Sequence, residues 1–357
     1  MFSLRYLTGI IILTLLMTIG AGCIDNNKEI QEYSRENCIM NTLISIRLFA
    51  PDAELGQRAL NEAFAEFSRI EMLTDKYLEK KQIDPQNSDV YQINKNAGIK
   101  PVQVSEDTFI MLEKSAHYSG LSGGAFDITI GPLMDLWGFG SNDYRIPADA
   151  EIDSALDLVG YKEIIINREQ NTVFLPRKGM KIDLGGIAKG YATDRAVQKL
   201  RDLGISFAII NAGGNIYALG SQPDGRPWRI GIQDPRDENT IIALLKVEDT
   251  AVVTSGDYER YFLKDGVRYH HILDPATGFP AEEIISSTIL TPYAADADVL
   301  STALFVLGAE KGAELIKKTP DINGILINYD KNVIISQGLT DQIEINGNQD
   351  YVIDSII

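Results

Sequence analysis

Residues 42–49, TLISIRLF, alternate between the two sides of an extended chain and are rich in β-branched side chains, which predicts a half-buried strand. The period then changes. Beyond Pro51, apolar residues recur at Leu55, Ala59, Ala63, Phe67 and Ile70, a helical stripe with Asp52 placed as its N-cap. Further helices are expected over residues 105–119, before the break at Gly123-Gly124, over 191–203, closed by Gly204, and over 298–307, closed by Gly308. Short strands are expected at 163–166, 172–175, 207–210, 230–232 and 241–247, and a hairpin over 324–336 turning at Asp330-Lys331-Asn332. Helices and strands that do not alternate strictly point to an α+β fold and away from a doubly wound sheet.

A different pattern occupies the first residues. Arg5 precedes an apolar run, residues 7–19, and Gly20-Ala21-Gly22 lead directly into Cys23. The run is short for a membrane span, and its flanks predict that residues 1–22 are an export signal. This arrangement resembles a prokaryotic lipoprotein signal, with Gly20 where such signals usually carry a branched aliphatic residue. The resemblance implies a lipid on Cys23 and a place on the outer face of the cytoplasmic membrane. Residues 23–37 are polar and read as a lipid-anchored spacer, leaving 38–357 as the folded body. Cys38, then without a partner, reads as a small apolar residue.

Composition narrows the chemistry. Fifty acidic against 33 basic residues give a net charge of −17, which disfavours nucleic acid and a polybasic membrane contact. Three histidines and two cysteines leave little for a zinc site, so a metal would be held mainly by oxygen. Asp183-Leu184-Gly185-Gly186-Ile187-Ala188-Lys189-Gly190 is a glycine-rich turn leading into a helix, where free N–H groups and a lysine suit a phosphate. It matches neither the P-loop nor the dinucleotide fingerprint, so a nucleotide is compatible with it but a P-loop NTPase or Rossmann dehydrogenase is not supported. Other glycine turns are Gly123-Gly124-Ala125-Phe126-Asp127, Asn211-Ala212-Gly213-Gly214-Asn215 and Thr254-Ser255-Gly256. His270 and His271 stand just before the Asp274-Pro275 turn, where a histidine serves either as a general base or as a partner for turn carbonyls. Asp298 and Thr302, at i and i+4, are either hard ligands for Mg²⁺ or a helix cap and a threonine bonded to its own helix.

Taken in order, these segments resemble the FAD:protein FMN transferases, the ApbE family. The resemblance is carried by MNTLISIRL at 40–48, residues 88–94, SGGAFDITIGPLMDLWGFG at 122–140, IDLGGIAKGYATDRA at 182–196, NAGGNIYALG from Asn211, VVTSGDYER from Val252, HHILDPATGFP from His270 and ADVLSTALFVLG from Ala297. It implies a two-lobed, T-fold-related α+β structure with a FAD cleft between interleaved lobes. The implied reaction moves the FMN moiety of FAD to a threonine or serine hydroxyl of an acceptor protein in a redox complex, releasing AMP with Mg²⁺. Asp298, Thr302 and the carbonyl of Ala188 would ligate the metal. Lys189, Gly213 and Gly214, with Met40, Ala125, Asp127 and Thr254, would hold FAD, and His271 would assist the attacking hydroxyl. Asn41 stands where the family usually has glycine. Two alternatives are a pyrophosphatase that splits FAD with water, Asn94 lying in the stretch that separates such forms, and a flavin-binding carrier lipoprotein that would need neither the metal ligands nor the histidine.

Overall fold

The computed structural model describes residues 30–78, 82, 84–140, 143–346 and 351–357. The expected export signal and Cys23 lie outside them. A nine-stranded sheet forms the centre, in the order Gln31–Ile39, Thr42–Ala50, Ala208–Ala212, Asn215–Leu219, Thr250–Gly256, Ile284–Thr291, Asn323–Asn328, Asn332–Ile335 and Val352–Ile356. Every neighbouring pair is antiparallel except the last, so most connections are hairpins or single returns.

The two faces of this sheet carry different layers. Three helices, Ala53–Thr74, Ala188–Asp202 and Ala294–Lys318, cover one face over a core that includes Phe67, Ile70, Ala192, Leu200, Leu304 and Phe305. On the other face Trp228, Ile230 and Leu245, from a three-stranded sheet, pack against Val252, Leu290 and Ile327 of the central one. A third cluster, around Trp137, Phe139 and Leu273, sits apart with the hairpin formed by Tyr261–Lys264 and Val267–His270. The expected α+β class holds. Among the described residues no helix is long and apolar enough to cross a membrane.

Local chemistry places the element ends. Asp52 accepts a bond from Leu55 N–H at 3.0 Å and Ser105 one from Thr108 N–H at 3.3 Å, caps that contribute about 1 kcal/mol each. Gly204, with φ 77°, closes Ala188–Asp202 as expected. Gly308, with φ 79° and ψ −175°, breaks Ala294–Lys318 where its first part was expected to end.

Three expectations are corrected. The polar stretch read as spacer is ordered from Gln31: Gln31–Ile39 pairs along its whole length with Thr42–Ala50. Its backbone bonds decide this, because one side of an edge strand needs no apolar partners. Cys38, read as a small apolar residue, is exposed to solvent on that strand. The last helix begins at Ala294, a turn before Asp298, because Asp194 of the helix Ala188–Asp202 supplies its cap from outside, at 2.7 Å from Ala294 N and 2.9 Å from Ala295 N.

Candidate functional site

Gly190 brings the two helices together. A Cβ on it would lie 2.2 Å from the Ala294 carbonyl oxygen, so only glycine permits this approach. The consequence is electrostatic. Gly190 N–H donates to Asp298 Oδ2 at 3.0 Å, and Lys189 Nζ stands 3.5 Å from Asp298 Oδ1. Asp298 is 4% exposed, so a buried carboxylate is held between a helix N-terminus and an ammonium. Thr302, one turn on, donates to the Asp298 carbonyl at 3.3 Å, and Ser255 Oγ lies 3.4 Å from its hydroxyl and 2.8 Å from that of Ser301. The glycine turn passes over this group, since a Cβ on Gly186 would be 3.8 Å from Thr302 Oγ1.

The floor of the turn is braced by charge. Asp183 is 2.8 Å from Lys76, which also meets Asp135 at 3.1 Å, and Lys181 meets Asp135 at 2.7 Å. Burial opposes ionisation of Asp183, but the Lys76 ammonium overrides it and holds the carboxyl below its usual range. Asn94 pins the preceding residue, donating to Ile182 O at 2.9 Å and accepting from Ile182 N–H at 2.7 Å.

The two adjacent histidines have opposite surroundings. His270 is 2% exposed: its Nδ1 accepts from Ile272 N–H at 3.3 Å, which assigns the proton to Nε2, and Nε2 donates to Ala281 O at 2.9 Å. His270 is therefore the partner for turn carbonyls. His271 is half-buried, with its ring edge-on to Phe139 at 6.3 Å between centroids and Nδ1 3.2 Å from Arg260 O. Its enclosure, together with the positive charges of Arg260 and Lys189, pushes its pKa down to about 3, so the imidazole is a neutral base at pH 7.

Residues 40–326 match the sequence profile of the ApbE family. The chain belongs to the ApbE family. It is 35% identical over 343 residues to the FAD:protein FMN transferase of Treponema pallidum (strain Nichols), covering 91% of this chain and 92% of that protein. With the FAD:protein FMN transferase of Klebsiella pneumoniae (strain 342) it shares 37% identity over 306 residues, 85% of this chain and 92% of the other. The crystal structure of the ApbE protein of Thermotoga maritima superposes with a TM-score of 0.76 at 34% identity, over 89% of this chain and 97% of that one. Flavin transferase ApbE from Vibrio cholerae superposes with a TM-score of 0.78 at 28% identity, over 88% and 99%.

The structure gathers most of the residues singled out in this ApbE sequence. Ala188, Lys189, Asp298 and Thr302 meet at the helix junction. Ala125 and Asp127 adjoin it, because a Cβ on Gly186 would be 2.9 Å from the Phe126 ring and Asp183 N–H bonds to Ile128 O at 2.7 Å. Asp127 has its oxygens engaged by Thr129 N–H at 2.7 Å, the Thr129 hydroxyl at 2.6 Å and Tyr161 N–H at 2.9 Å, which makes it a brace for that loop. Gly213, with φ 61°, packs on the hairpin at Met40 and Asn41, where a Cβ would strike Thr42 Oγ1 at 2.1 Å. Met40 and Asn41, with φ 55° and 57°, form the two-residue loop, and asparagine tolerates the left-handed backbone that glycine usually supplies. Gly214 faces Glu259, whose carboxyl is pushed up by burial against the pull of Lys189.

Thr254 is not brought to the junction. Its hydroxyl pairs with Thr288 at 2.8 Å, and the strand alternation that turns it away presents Ser255 to Thr302 instead. Ser255, Glu259, Arg260 and Asp194 were missed as site residues. The first three stand inside the quoted VVTSGDYER and Asp194 inside IDLGGIAKGYATDRA, but only tertiary contacts show which of these side chains face the site. As for a metal, among the described residues no group of three or more His, Cys, Asp or Glu side chains is arranged to hold an ion. The donors present are one carboxylate, hydroxyls and a backbone carbonyl, a hard-oxygen set that fits a divalent cation sharing substrate oxygens.

Proposed function

We propose that the protein transfers the FMN moiety of FAD to a threonine or serine hydroxyl of an acceptor protein and releases AMP. The flavin transfer from FAD follows the activity named for its relatives in Treponema and Klebsiella, and the chain is an enzyme of that type. The observation that carries the finer reading is the pairing of a buried, oppositely flanked Asp298 with a neutral His271 whose imidazole feels the charge of Lys189.

In this reading the acceptor oxygen attacks the FMN-side phosphorus, the P–O bond to the AMP side breaks, and the hydroxyl proton passes to His271. Lys189 and the positive end of the helix Ala188–Asp202 would face the pyrophosphate charge. Asp298, Thr302 and the Ala188 carbonyl would hold Mg²⁺, which when bound supplies charge neutralisation at the phosphate oxygens. His271 contributes as a base that is unprotonated across the neutral range.

The test is to incubate the protein with FAD and Mg²⁺, with and without a threonine-bearing peptide, and to follow AMP and covalent flavin. Covalent flavin with stoichiometric AMP supports the transferase. AMP and free FMN at the same rate with or without peptide would make it a pyrophosphatase, and no AMP would leave a flavin-binding carrier. Export and lipidation of Cys23 belong to the same proposal, and an intact Met1 or an unmodified Cys23 in mass spectra of membrane-extracted protein would reject the lipid anchor.

A further inference from the structure

We propose that a cavity walled by the β hairpin of Tyr261–Lys264 and Val267–His270 docks the acceptor protein through an acidic side chain. The proposal rests on the transferase reading above. The cavity has a volume of about 440 Å³ and shares no residue with the helix junction. At its base Asp257, 1% exposed, accepts both guanidinium nitrogens of Arg236 at 2.8 and 2.9 Å and one of Arg268 at 3.1 Å. Two guanidinium charges thus share one buried carboxylate, and Glu282, the other acid of the lining, is exposed at its rim. A guanidinium has five donors, and Arg268 spends one of them on Asp257. A carboxylate from outside is the group that completes this arrangement.

The surroundings have the composition of a protein interface. Arg268 lies over the Tyr261 ring at 4.3 Å and Arg236 over Tyr329 at 5.8 Å, while Leu263, Val267 and Phe279 are exposed around them. Aromatic side chains, arginine and exposed aliphatic groups on one patch are what binding hot spots use, in a chain otherwise charged at −17.

Register ties the patch to the chemistry. Tyr261 pairs with His270 and Leu263 with Arg268, so these four share one face of the hairpin. Phe262 and Tyr269 share the other, where Phe262 and His271 both pack on Phe139. Val267 and Tyr269, which alternate with Arg268, also wall the cavity, so an acceptor segment seated there rests on the same hairpin that leads into His271. A surface used only for folding would have no need to leave guanidinium donors and large apolar groups facing water here.

The experiment uses two synthetic peptides with one threonine in a Gly/Ala background, one carrying aspartates and the other asparagines at the same positions. With wild type the aspartate peptide is expected to show a KM about tenfold lower, the size of one charged hydrogen bond. Arg268→Gln should erase that difference while leaving FAD affinity and the rate of AMP release by water unchanged, and Arg268→Lys should restore part of it. Equal KM values for the two peptides with wild type, a preference that survives Arg268→Gln, or no transfer to either peptide while FAD is still split, overturns the docking proposal. No AMP under any condition overturns the transferase reading itself, and circular dichroism of Arg268→Gln separates a docking defect from misfolding.

Discussion

At the junction of the helices Ala188–Asp202 and Ala294–Lys318, polar atoms are buried and held by backbone partners, whereas on the hairpin ending at His270 the neighbouring His271 is half-buried and rests on aromatic rings. Gly190 and Asp194 leave the first region no freedom: one sets the distance between helices, the other caps the second helix from the first. The hairpin belongs to a two-stranded sheet of its own and carries exposed Tyr261, Leu263 and Val267. The difference matches two tasks. Charge aimed at a pyrophosphate is effective when fixed in advance in a site that excludes water, while an acceptor protein needs an accessible approach.

The largest effect should come from the rigid side. Asp298→Asn keeps an acceptor for Gly190 N–H but removes the charge, and AMP release is expected to fall by about 10³-fold or more while weaker flavin binding persists. Wild-type turnover in this variant, or in excess chelator, would falsify the metal assignment and return Asp298 to a purely structural role.

On the open side, His271→Ala should slow transfer by about 10²–10⁴-fold with FAD affinity retained. His270→Ala should do the reverse, losing about 1–3 kcal/mol of stability from two buried hydrogen bonds while the folded fraction stays active. Similar kinetic losses in both variants would erase the distinction drawn between the two histidines. Because the folded pKa of His271 is pushed to about 3, the transfer rate should show no acid limb near pH 6.5. The same depression contributes stability that is fully present above about pH 6.5 and is lost as pH falls toward 3.

Asp194 sharpens the comparison with the opposite sign. Burial pushes its carboxyl up to about 7, so its contribution is fully present below about pH 4 and declines as pH rises through 7. Asp194→Asn should flatten the pH dependence of Tm over that window, and Asp194→Ala should cost about 1–2 kcal/mol, the value of a helix cap. The smallest effect is expected for Ser255→Ala, a few-fold change in FAD-dependent Mg²⁺ affinity measured by calorimetry, since about 1 kcal/mol of hydrogen bonding to Ser301 and Thr302 is lost.

Much of this was legible because its signals are local. The stripe from Leu55 to Ile70, the caps at Asp52 and Ser105 and the stops at Gly204 and Gly308 all depend on residues a few positions apart. The strand Ile284–Thr291 was not legible: it is buried on both faces, and Ser286, Ser287 and Thr288 in its middle leave no alternation to detect. The order of glycine turns, the Asp298 and Thr302 spacing and the pair of histidines identified the family from sequence.

What the sequence could determine by itself was therefore the kinds of element, the family and the residue types available for phosphate and proton chemistry. Only the tertiary structure decided which of His270 and His271 has both ring nitrogens engaged by backbone, that Ser255 and not Thr254 faces Thr302, and that Asp194 caps a helix a hundred residues further along the chain. The physical reason is the range of the forces. Propensity, capping and periodicity act within one or two turns, whereas burial, hydrogen-bond partners and the field at a titrating group are set by elements far apart in the chain that share one packed interior.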